Sequence, residues 1–251
     1  MLVAFLTDVH GNLPALEAVL ADARAQGAEA VWDGGDAVGY HPWPTACVRR
    51  LAAACAVTIM GNYDRKVLKA PRRRKRWLRT KDPLKAATLI WAWDHLDGEA
   101  RMLLADRPSR ARPASDGRRR ILVCHGSPAS RKEPLGPATP AARWRELAAA
   151  AEAELVLHGH THVPYTRREG ATVFVNPGAV GRCEDGDPRA AYALVDLAAA
   201  RPEVQLRRVA YDTEAVVREI RERELPPVFA EMVRRGISLP RARRRLARDR
   251  R

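Results

Sequence analysis

Short apolar runs alternate with polar and helical segments along the first two thirds of the chain. Five runs rich in aliphatic and β-branched side chains predict strands, and they cover residues 2–7, 30–32, 57–60, 120–124 and 155–157. Between residues 13 and 26, apolar side chains recur at helical spacing, which predicts an amphipathic helix directly after the first strand. This alternation is typical of an α/β fold.

Polar residues follow each of these runs at the point where the predicted strand ends. The five segments are Asp8-Val9-His10, Gly34-Gly35-Asp36, Gly61-Asn62-Tyr63-Asp64, His125-Gly126 and His158-Gly159-His160-Thr161-His162. Open α/β sheets place their binding sites at the carboxyl ends of their strands. Because imidazole is the commonest metal ligand near neutral pH, the pattern predicts a metal site assembled from several strand ends.

Taken singly, several of these residues have ordinary structural explanations. Asp8 and Asp36 each follow a strand and precede a segment that suits a helix, so either one would serve as an N-cap. His158 is either a hydrogen-bonded core histidine or a residue that orients a metal ligand. His95, on a predicted helix, is expected at the surface or in side-chain packing.

In their order along the chain, the five segments resemble the motifs of the calcineurin-like metallophosphoesterases. That family's pattern is D-x-H, G-D, G-N-H-D, a single His and G-H-x-H, and the match spans residues 1 to about 197. The surroundings of His125 and the segment Asn176-Pro177-Gly178 also resemble the family's small bacterial and archaeal branch, which contains phosphodiesterases and dinucleoside polyphosphate hydrolases. The resemblance implies a four-layer α/β/β/α sandwich: two mixed β-sheets flanked by helices.

The resemblance also implies a metal-dependent phosphoric ester hydrolase with two divalent ions. One ion would take Asp8, His10, Asp36 and His162, and the other would take Asp36, Asn62, His125 and His160. Such a donor set suits manganese, which we expect, or iron, zinc, nickel, cobalt or magnesium. Two ions that share Asp36 would activate a bridging hydroxide to attack phosphorus and would clamp the in-line displacement. The expected catalytic residues are Asp36, Asn62, His125 and Tyr63.

Tyr63 departs from the family pattern, since many relatives carry a histidine there that acts as general acid. A tyrosine has a reference pKa of about 10 and is a poorer proton donor at neutral pH. The departure argues against strong monoesterase or protein-phosphatase activity and favours phosphodiesters or polyphosphate anhydrides. Asp64, without its usual partner, is expected to hold the loop, and a purely structural Tyr63 is the alternative.

Two residues outside the ligand set are predicted to contact the substrate. Asn176 follows a strand predicted at residues 172–175, and its glycine-containing turn is either a phosphate-contacting loop or a plain strand connection. His41 follows Asp36 in a loop that contains two prolines.

The chain carries a formal net charge of +14. Basic clusters occupy residues 72–76, 118–120 and 241–251. A GC-rich genome explains the arginine-rich tail without a partner, whereas residues 72–79 are the better candidate for a patch that attracts polyanions. A nuclease or RNA-end phosphatase therefore remains an alternative, together with a serine/threonine protein phosphatase-like monoesterase and a non-catalytic metal-binding scaffold.

The pattern predicts a metallophosphoesterase domain over residues 1–212, with a helical insertion at about 66–112, and a helical extension with a basic tail over 213–251. The apolar start is too short for a secretion signal, and no run approaches the roughly 18 apolar residues of a membrane span. Four cysteines without C-x-x-C spacing suit reduced thiols. We expect a cytoplasmic monomer or homo-oligomer that acts on a small phosphoester or nucleotide, away from membranes, with nucleic acid as an alternative partner.

Overall fold

A computed structural model of the chain describes residues 1–114, 119–199 and 201–249. The strands are β1 (Leu2–Leu6), β2 (Ala30–Asp33), β3 (Val57–Thr58), β4 (Arg110–Ala111), β5 (Ile121–Cys124), β6 (Leu155–Leu157), β7 (Tyr165–Glu169), β8 (Thr172–Asn176), β9 (Ala190–Asp196) and β10 (Glu203–Val209). The helices are α1 (Leu13–Ala25), α2 (Pro44–Ala54), α3 (Asn62–Val67), α4 (Ala70–Thr80), α5 (Pro83–Asp94), α6 (Gly98–Ala105), α7 (Ala141–Ala151), α8 (Thr213–Glu222), α9 (Val228–Arg235) and α10 (Leu239–Arg248).

The strands form two five-stranded mixed sheets. The first has the order β10-β9-β1-β2-β3 and the second β4-β5-β6-β8-β7. In the first sheet β1, β2 and β3 run parallel, and β9 and β10 are antiparallel to their neighbours. In the second, β5, β6 and β8 run parallel between two antiparallel edge strands. The parallel strands of each sheet therefore present their carboxyl ends at one edge.

The alternation of side chains along β1 explains why two sheets and two helical layers stack together. Val3 and Phe5 join the apolar core between the sheets, together with Val123 and Leu157 of the second sheet. Ala4, the residue between them, joins instead the core that includes α1 and α2. On the other side, Trp144 of α7 packs against the outer face of the second sheet. The predicted four-layer α/β/β/α sandwich is confirmed.

Most predicted strands and helices agree with the structure to within one or two residues at each end, which is the usual uncertainty of such boundaries. The elements that the sequence analysis did not predict include α2, α3, α7, β4 and β7. Strand β7 reads Tyr-Thr-Arg-Arg-Glu, and two of its side chains are exposed. An edge strand of this kind carries too few apolar side chains to give a periodic signal.

The predicted helical insertion at about 66–112 contains α4, α5 and α6, and the predicted extension contains α8, α9 and α10. The extension's helices enclose a small apolar core that includes Phe229 and Met232 and reaches Tyr40. The division into a domain ending at residue 212 and an extension from 213 stays a prediction. Part of the basic cluster at 118–120 and the last two residues of the tail lie outside the described residues. No helix within the described ranges is long and apolar enough to cross a membrane.

A buried ion pair ties the end of the insertion to the first sheet. Arg107 donates from Nη1 to Oδ2 of Asp33 at 2.8 Å, and both side chains are almost fully buried. The other carboxylate oxygen of Asp33 accepts from the backbone N–H of Gly35 at 2.9 Å. Burial raises the pKa of Asp33 although Arg107 opposes the rise. The pair therefore fixes the chain just ahead of Asp36.

We expect Arg107→Met to lower the free energy of unfolding by about 3–5 kcal/mol, because it leaves a buried carboxylate without its cation. Because the pKa of Asp33 is raised, its ionised form destabilises the folded state, and this form becomes more populated as pH rises. The loss of unfolding free energy in Arg107→Met should therefore be smaller at pH 4 than at pH 8. Urea denaturation at both values measures this. Arg50→Met, which removes an exposed ion pair with Glu17, is the control and should cost at most about 1 kcal/mol. Equal losses in the two variants would contradict the prediction.

Candidate metal centre

The polar segments after the strands meet at one edge of the sandwich. The backbone N–H of His10 donates to the carbonyl of Asp36 at 2.9 Å, which joins the loops after β1 and β2. The backbone N–H of His160 donates to Oδ2 of Asp8 at 2.9 Å, which joins the loop after β6 to the same place. The carboxyl ends of strands from both sheets therefore contribute to a single site.

The backbone at this site turns in the left-handed region that glycine favours. Eight non-glycine residues in the described ranges have a positive φ, and five of them are predicted metal ligands. These five are Asp8 (57°), His10 (49°), Asp36 (57°), His160 (73°) and His162 (60°). Such conformations are strained for residues with a Cβ and persist where surrounding contacts enforce them, often at functional sites.

Each of the two aspartates divides its oxygens between the scaffold and the centre. Oδ2 of Asp8 accepts from His160 N–H and from the Thr7 hydroxyl at 3.0 Å, whereas Oδ1 is buried without a hydrogen-bond partner. Oδ1 of Asp36 accepts from the backbone N–H of Tyr63 at 2.6 Å, and its Oδ2 lies 3.3 Å from Nε2 of His125. One oxygen of each carboxylate is thus held by the protein while the other faces inward.

Two histidines show the same division. Nδ1 of His10 lies 3.3 Å from the carbonyl of Val38, and Nδ1 of His125 lies 2.9 Å from that of Gly34. Nδ1 of His162 lies 3.5 Å from a carboxylate oxygen of Glu184 but makes no hydrogen bond. A carbonyl or carboxylate on one ring nitrogen fixes the tautomer and leaves the other nitrogen free to bind a metal.

The free ring nitrogens converge on the two carboxylates. Nε2 of His162 lies 3.2 Å from Oδ1 of Asp8, and Nε2 of His10 lies 3.4 Å from Nε2 of His162 and 3.8 Å from Oδ2 of Asp36. Two groups of donor atoms lie within 4.8 Å of one another: Asp8, His10 and His162, and Asp8, Asp36 and His125. Asp8 belongs to both groups and Asp36 only to the second, and the bridging role of Asp36 stays a prediction.

Polar atoms at the centre lack partners. Oδ1 of Asp8, Oδ1 of Asn62 and Nε2 of His125 are buried and make no hydrogen bond. An unpaired buried polar atom costs about 1–3 kcal/mol, and more when it is charged. Oxygen and imidazole donors without a thiolate are the set expected for manganese, iron, zinc and similar ions. The residues present therefore fit divalent cations.

The charges of the centre are strongly interdependent. Burial raises the pKa of Asp36, but His125 and His10 outweigh it and bring the value down to about 2. Burial lowers the pKa of His125, but Asp36 and Asp8 outweigh it and raise the value to about 10. In the metal-free protein a proton on His125 thus supplies part of the positive charge that the buried carboxylates require.

The remaining predicted ligands, Asn62 and His160, border the two groups. Asn62 is buried at the start of α3. The ring of His160 lies 5.2 Å from that of His125, and its Nε2 lies 3.2 Å from the carbonyl of Lys132. The structure brings all seven predicted ligands to one edge, and their individual roles as ligands stay predictions.

Two glycines permit the close approach of these loops. A Cβ on Gly61 would lie 2.0 Å from Oδ1 of Asp36, and a Cβ on Gly159 would lie 2.5 Å from Oδ2 of Asp8. Both distances are far below any van der Waals contact. Glycine is therefore required where each loop passes over a carboxylate.

Asp64 holds the loops around Asp36. Its carboxylate accepts from the backbone N–H groups of Asp36 and Gly61, both at 2.9 Å, and of Val38 at 3.3 Å. Burial and the charge of Asp36 raise its pKa to about 7. These contacts agree with the expectation that Asp64 positions the loop.

Tyr63 lies at the rim of the centre, with its ring 5.2 Å from that of His10. Its hydroxyl is 2.7 Å from that of Tyr40, and burial followed by Tyr40 raises its pKa above the ordinary value. Tyr40 in turn contacts Phe229 of α9 and the guanidinium of Arg182. The C-terminal helices therefore support the residue that replaces the expected histidine.

The residues predicted as substrate contacts are both buried. Nδ1 of His41 lies 3.2 Å from the carbonyl of His10. Nδ2 of Asn176 donates at 2.9 Å to the carbonyl of Gly159 and to the hydroxyl of Thr161, which fixes the histidine loop. These hydrogen bonds indicate that both residues position neighbouring loops. A contact of either side chain with substrate stays a prediction, and these bonds do not support it.

The two other histidines also have partners. Nε2 of His158 lies 3.0 Å from the hydroxyl of Tyr165 inside the second sheet's core, which favours the core interpretation. His95 is exposed and stacks on Trp91 at 3.8 Å.

Sequence reasoning missed Glu184 and Arg182. Glu184 approaches His162, and Arg182 pairs with Glu184 at 2.7 Å. Both follow the turn that begins at Asn176 and stands beside the centre, because the N–H of Gly181 donates to the carbonyl of Asp8. That turn was the only signal in the sequence, and its position depends on packing across the sheets.

Comparisons with known proteins agree with this arrangement. Residues 1–200 match the family model of the calcineurin-like phosphoesterase superfamily domain. The chain is 30% identical to a metallophosphoesterase of known structure from Sphaerobacter thermophilus, with 94% of this chain and 99% of that one covered and a TM-score of 0.79. It is 25% identical to an uncharacterized protein of Methanocaldococcus jannaschii, over 92% and 96% of the two chains. It is also 25% identical to the phosphodiesterase YfcE of Escherichia coli, over 78% and 88%.

We expect Mn²⁺ binding at pH 7 to release about one proton or more, because metal ligation requires neutral imidazole and the raised pKa of His125 keeps it protonated. Titration calorimetry in buffers of different ionisation enthalpy measures the release. Affinity should fall as the pH is lowered. The variant His125→Gln should release less, and His95→Gln, at an exposed histidine away from the centre, should behave as wild type. Binding without proton release would show that the charge balance proposed for the centre is wrong.

Proposed function

The chain belongs to the calcineurin-like phosphoesterase superfamily, and we propose that it is a two-metal phosphodiesterase or dinucleoside polyphosphate hydrolase. Membership in the family makes it a phosphoester hydrolase that uses divalent metals. The observation that carries the two-metal site is the convergence of donor atoms of Asp8, Asp36 and His125 within 4.8 Å of one another, where Oδ1 of Asp8 and Nε2 of His125 are buried without a hydrogen-bond partner. Manganese is the proposed ion. A cytoplasmic location and a monomeric or homo-oligomeric state are proposals from the sequence.

The proposed ligands divide between two ions. Asp8, His10, Asp36 and His162 would hold one, and Asp36, Asn62, His125 and His160 would hold the other. Two bound ions would lower the pKa of a shared water, which becomes the nucleophile, and would neutralise charge on the phosphoryl oxygens. The protein's contribution is position: the Val38, Gly34 and Lys132 carbonyls orient histidine rings, and backbone N–H groups hold one oxygen of each aspartate.

The properties of Tyr63 favour substrates with a good leaving group over monoesters with a poor leaving group. Its hydroxyl is engaged with that of Tyr40, and its pKa is raised, so it transfers a proton poorly at neutral pH. It retains the capacity to donate a hydrogen bond to a leaving oxygen. Aryl esters and phosphoanhydrides, which have weakly basic leaving groups, depend less on a general acid than alkyl esters do.

An apolar cleft beside the histidine loop supports a substrate with an organic substituent. The cleft has a volume of about 490 Å³, within the range of small-molecule sites. Thr161, which stands between His160 and His162, lines it together with Val163, Tyr165 and three prolines of the loop after β5. A phosphorus atom held at the centre can therefore carry its organic group into this cleft.

The alternative of a nucleic-acid-processing enzyme is less favoured, because two of the described arginines of the tail already pair with carboxylates. Arg243 pairs with Asp82 at 2.7 Å, and Arg245 pairs with Glu231 at 2.8 Å. In the cluster at 72–76, Arg74 is held by Asp94. A non-catalytic scaffold is disfavoured because every ligand position carries a competent residue, and the monoesterase alternative is disfavoured by Tyr63.

We expect Asp36→Asn and His125→Ala to lower hydrolysis of bis-p-nitrophenyl phosphate in Mn²⁺ by at least about a thousandfold, since each removes a proposed ligand of the group that activates water. Circular dichroism should show that both variants remain folded. His95→Ala is the control and should keep full activity. Substantial activity in both ligand variants would refute the proposed site.

We expect Tyr63→His to raise kcat/KM for glycerol 2-phosphate, a monoester whose alkoxide leaving group requires a proton, relative to bis-p-nitrophenyl phosphate, whose p-nitrophenolate leaves without one. An imidazole has its pKa near neutrality and can protonate a leaving group. The ratio of the two rates, measured for wild type and variant together, is the readout. Tyr40→Phe, which removes only the partner hydroxyl, is the matched control and should leave that ratio within about twofold. An unchanged ratio in Tyr63→His would assign Tyr63 a structural role.

A further inference from the structure

A second, polar cavity lies beside His125 and is lined by the first part of the loop after β5. Its volume is about 120 Å³. The wall contains three serines and two arginines: Ser109, Ser127, Ser130, Arg110 and Arg131. None of these residues has a place in the proposed dimetal chemistry. A cavity of this size with hydroxyl and guanidinium donors suits a small oxyanion.

Arg131 is the residue that needs a partner there. Its Nη1 is buried and makes no hydrogen bond, and no carboxylate of the described residues pairs with its guanidinium. By contrast, Arg143 of α7 pairs with Glu133 of the same loop at 2.7 Å. A partly buried cation without an anion is costly, so such sites commonly await a charged ligand.

Charges of both signs act on Arg131. Burial and the neighbouring Arg65 lower its pKa, whereas the carboxylates of Asp64 and Asp36 raise it. Burial lowers the pKa of Lys66, and Lys132 lowers it further, while Lys66 stands 4.5 Å from the centre of the Tyr63 ring. We call Arg65, Lys66, Arg131 and Lys132 the cationic rim. Metal ions would neutralise Asp36, and the four cations of the rim would then outnumber the nearby carboxylate of Asp64, which leaves a net positive field beside the metal centre.

The loop that carries Arg131 is already fixed. The hydroxyl of Ser127 accepts from the backbone N–H groups of Ala129 and Ser130 at 3.1 and 3.0 Å, and it donates to Glu133. The carbonyl of Lys132 contacts His160. The guanidinium is therefore held on a loop joined to the metal centre, and a bound anion would meet an ordered site.

We propose that this cavity binds a second phosphoryl group, adjacent to the one that reacts at the metal centre. The inference rests on the proposed function and narrows it: the preferred substrate is a phosphoanhydride with at least two phosphates, and a diester with one phosphate leaves the cavity unused. The same chemistry would also accept free orthophosphate, the other source of the ligand.

The first test needs no catalysis. Orthophosphate is titrated calorimetrically into metal-free protein at low ionic strength, and wild type should bind it. Arg131→Gln should lower the affinity about tenfold or more, the range expected when a hydrogen bond to a charged group is lost. Arg131→Lys should recover part of it. Arg72→Gln, at an exposed arginine of α4, is the matched control and should bind as wild type. Equal affinity in Arg131→Gln and Arg72→Gln would overturn the proposal.

The second test separates the two sources of phosphate. Mn²⁺-loaded wild type and Arg131→Gln are compared on diadenosine triphosphate and bis-p-nitrophenyl phosphate. If the cavity serves the substrate, kcat/KM should fall about tenfold to a hundredfold for the first and far less for the second. Equal large losses would place Arg131 on the reacting phosphate and overturn the second subsite. Small equal losses together with lost orthophosphate binding would assign the cavity to free phosphate. If wild type hydrolysed neither compound, the proposed function would fail, and the orthophosphate titration would still decide the cavity.

Discussion

Two buried carboxylates, those of Asp8 and Asp36, set the requirement that the rest of the site satisfies. Burial alone raises the pKa of each, yet the surrounding histidines keep both ionised. Two negative charges held close together away from water are stable only if positive charge is supplied locally. In the metal-free chain a protonated His125 supplies part of it, and divalent ions meet the requirement more fully. The two buried carboxylates therefore require cations at one edge of the sandwich.

The backbone produces this arrangement by local strain and close contact. Left-handed turns at the ligand residues redirect the chain as each strand ends, and their cost is offset by hydrogen bonds between loops. Gly61 and Gly159 let neighbouring loops pass directly over Asp36 and Asp8. The Arg107–Asp33 ion pair and the carboxylate of Asp64 both anchor the loop that carries Asp36. Many of these contacts thus serve to position the aspartate oxygens and histidine ring nitrogens that are the proposed metal ligands.

The strands, the layered architecture and the cluster of ligand residues could be predicted because each depends on local patterns or on the order of short motifs. Residues 155–157 read as a strand from their apolar side chains, and the structure agrees. Strand β7 and helix α7 were missed because their side chains are mixed in polarity. Glu184, Arg182 and Arg131 were missed for another reason: their importance comes from contacts across the fold, and no spacing in the sequence encodes those contacts. The buried bonds of His41 and Asn176 likewise depend on tertiary packing.

The residues proposed to bind metal and those proposed to select the substrate lie in different parts of this molecule. The proposed ligands stand at strand ends, where the two sheets hold them rigidly. The groups that would distinguish one phosphoester from another stand on the connections: Tyr63 at the start of α3, and the loop after β5, which carries both Arg131 and the prolines of the apolar cleft. Tyr40 extends this division, because it links Tyr63 to Phe229 of the C-terminal helices. Sequence change in those connections can alter the preferred substrate while the buried carboxylates, and the cations they demand, stay the same.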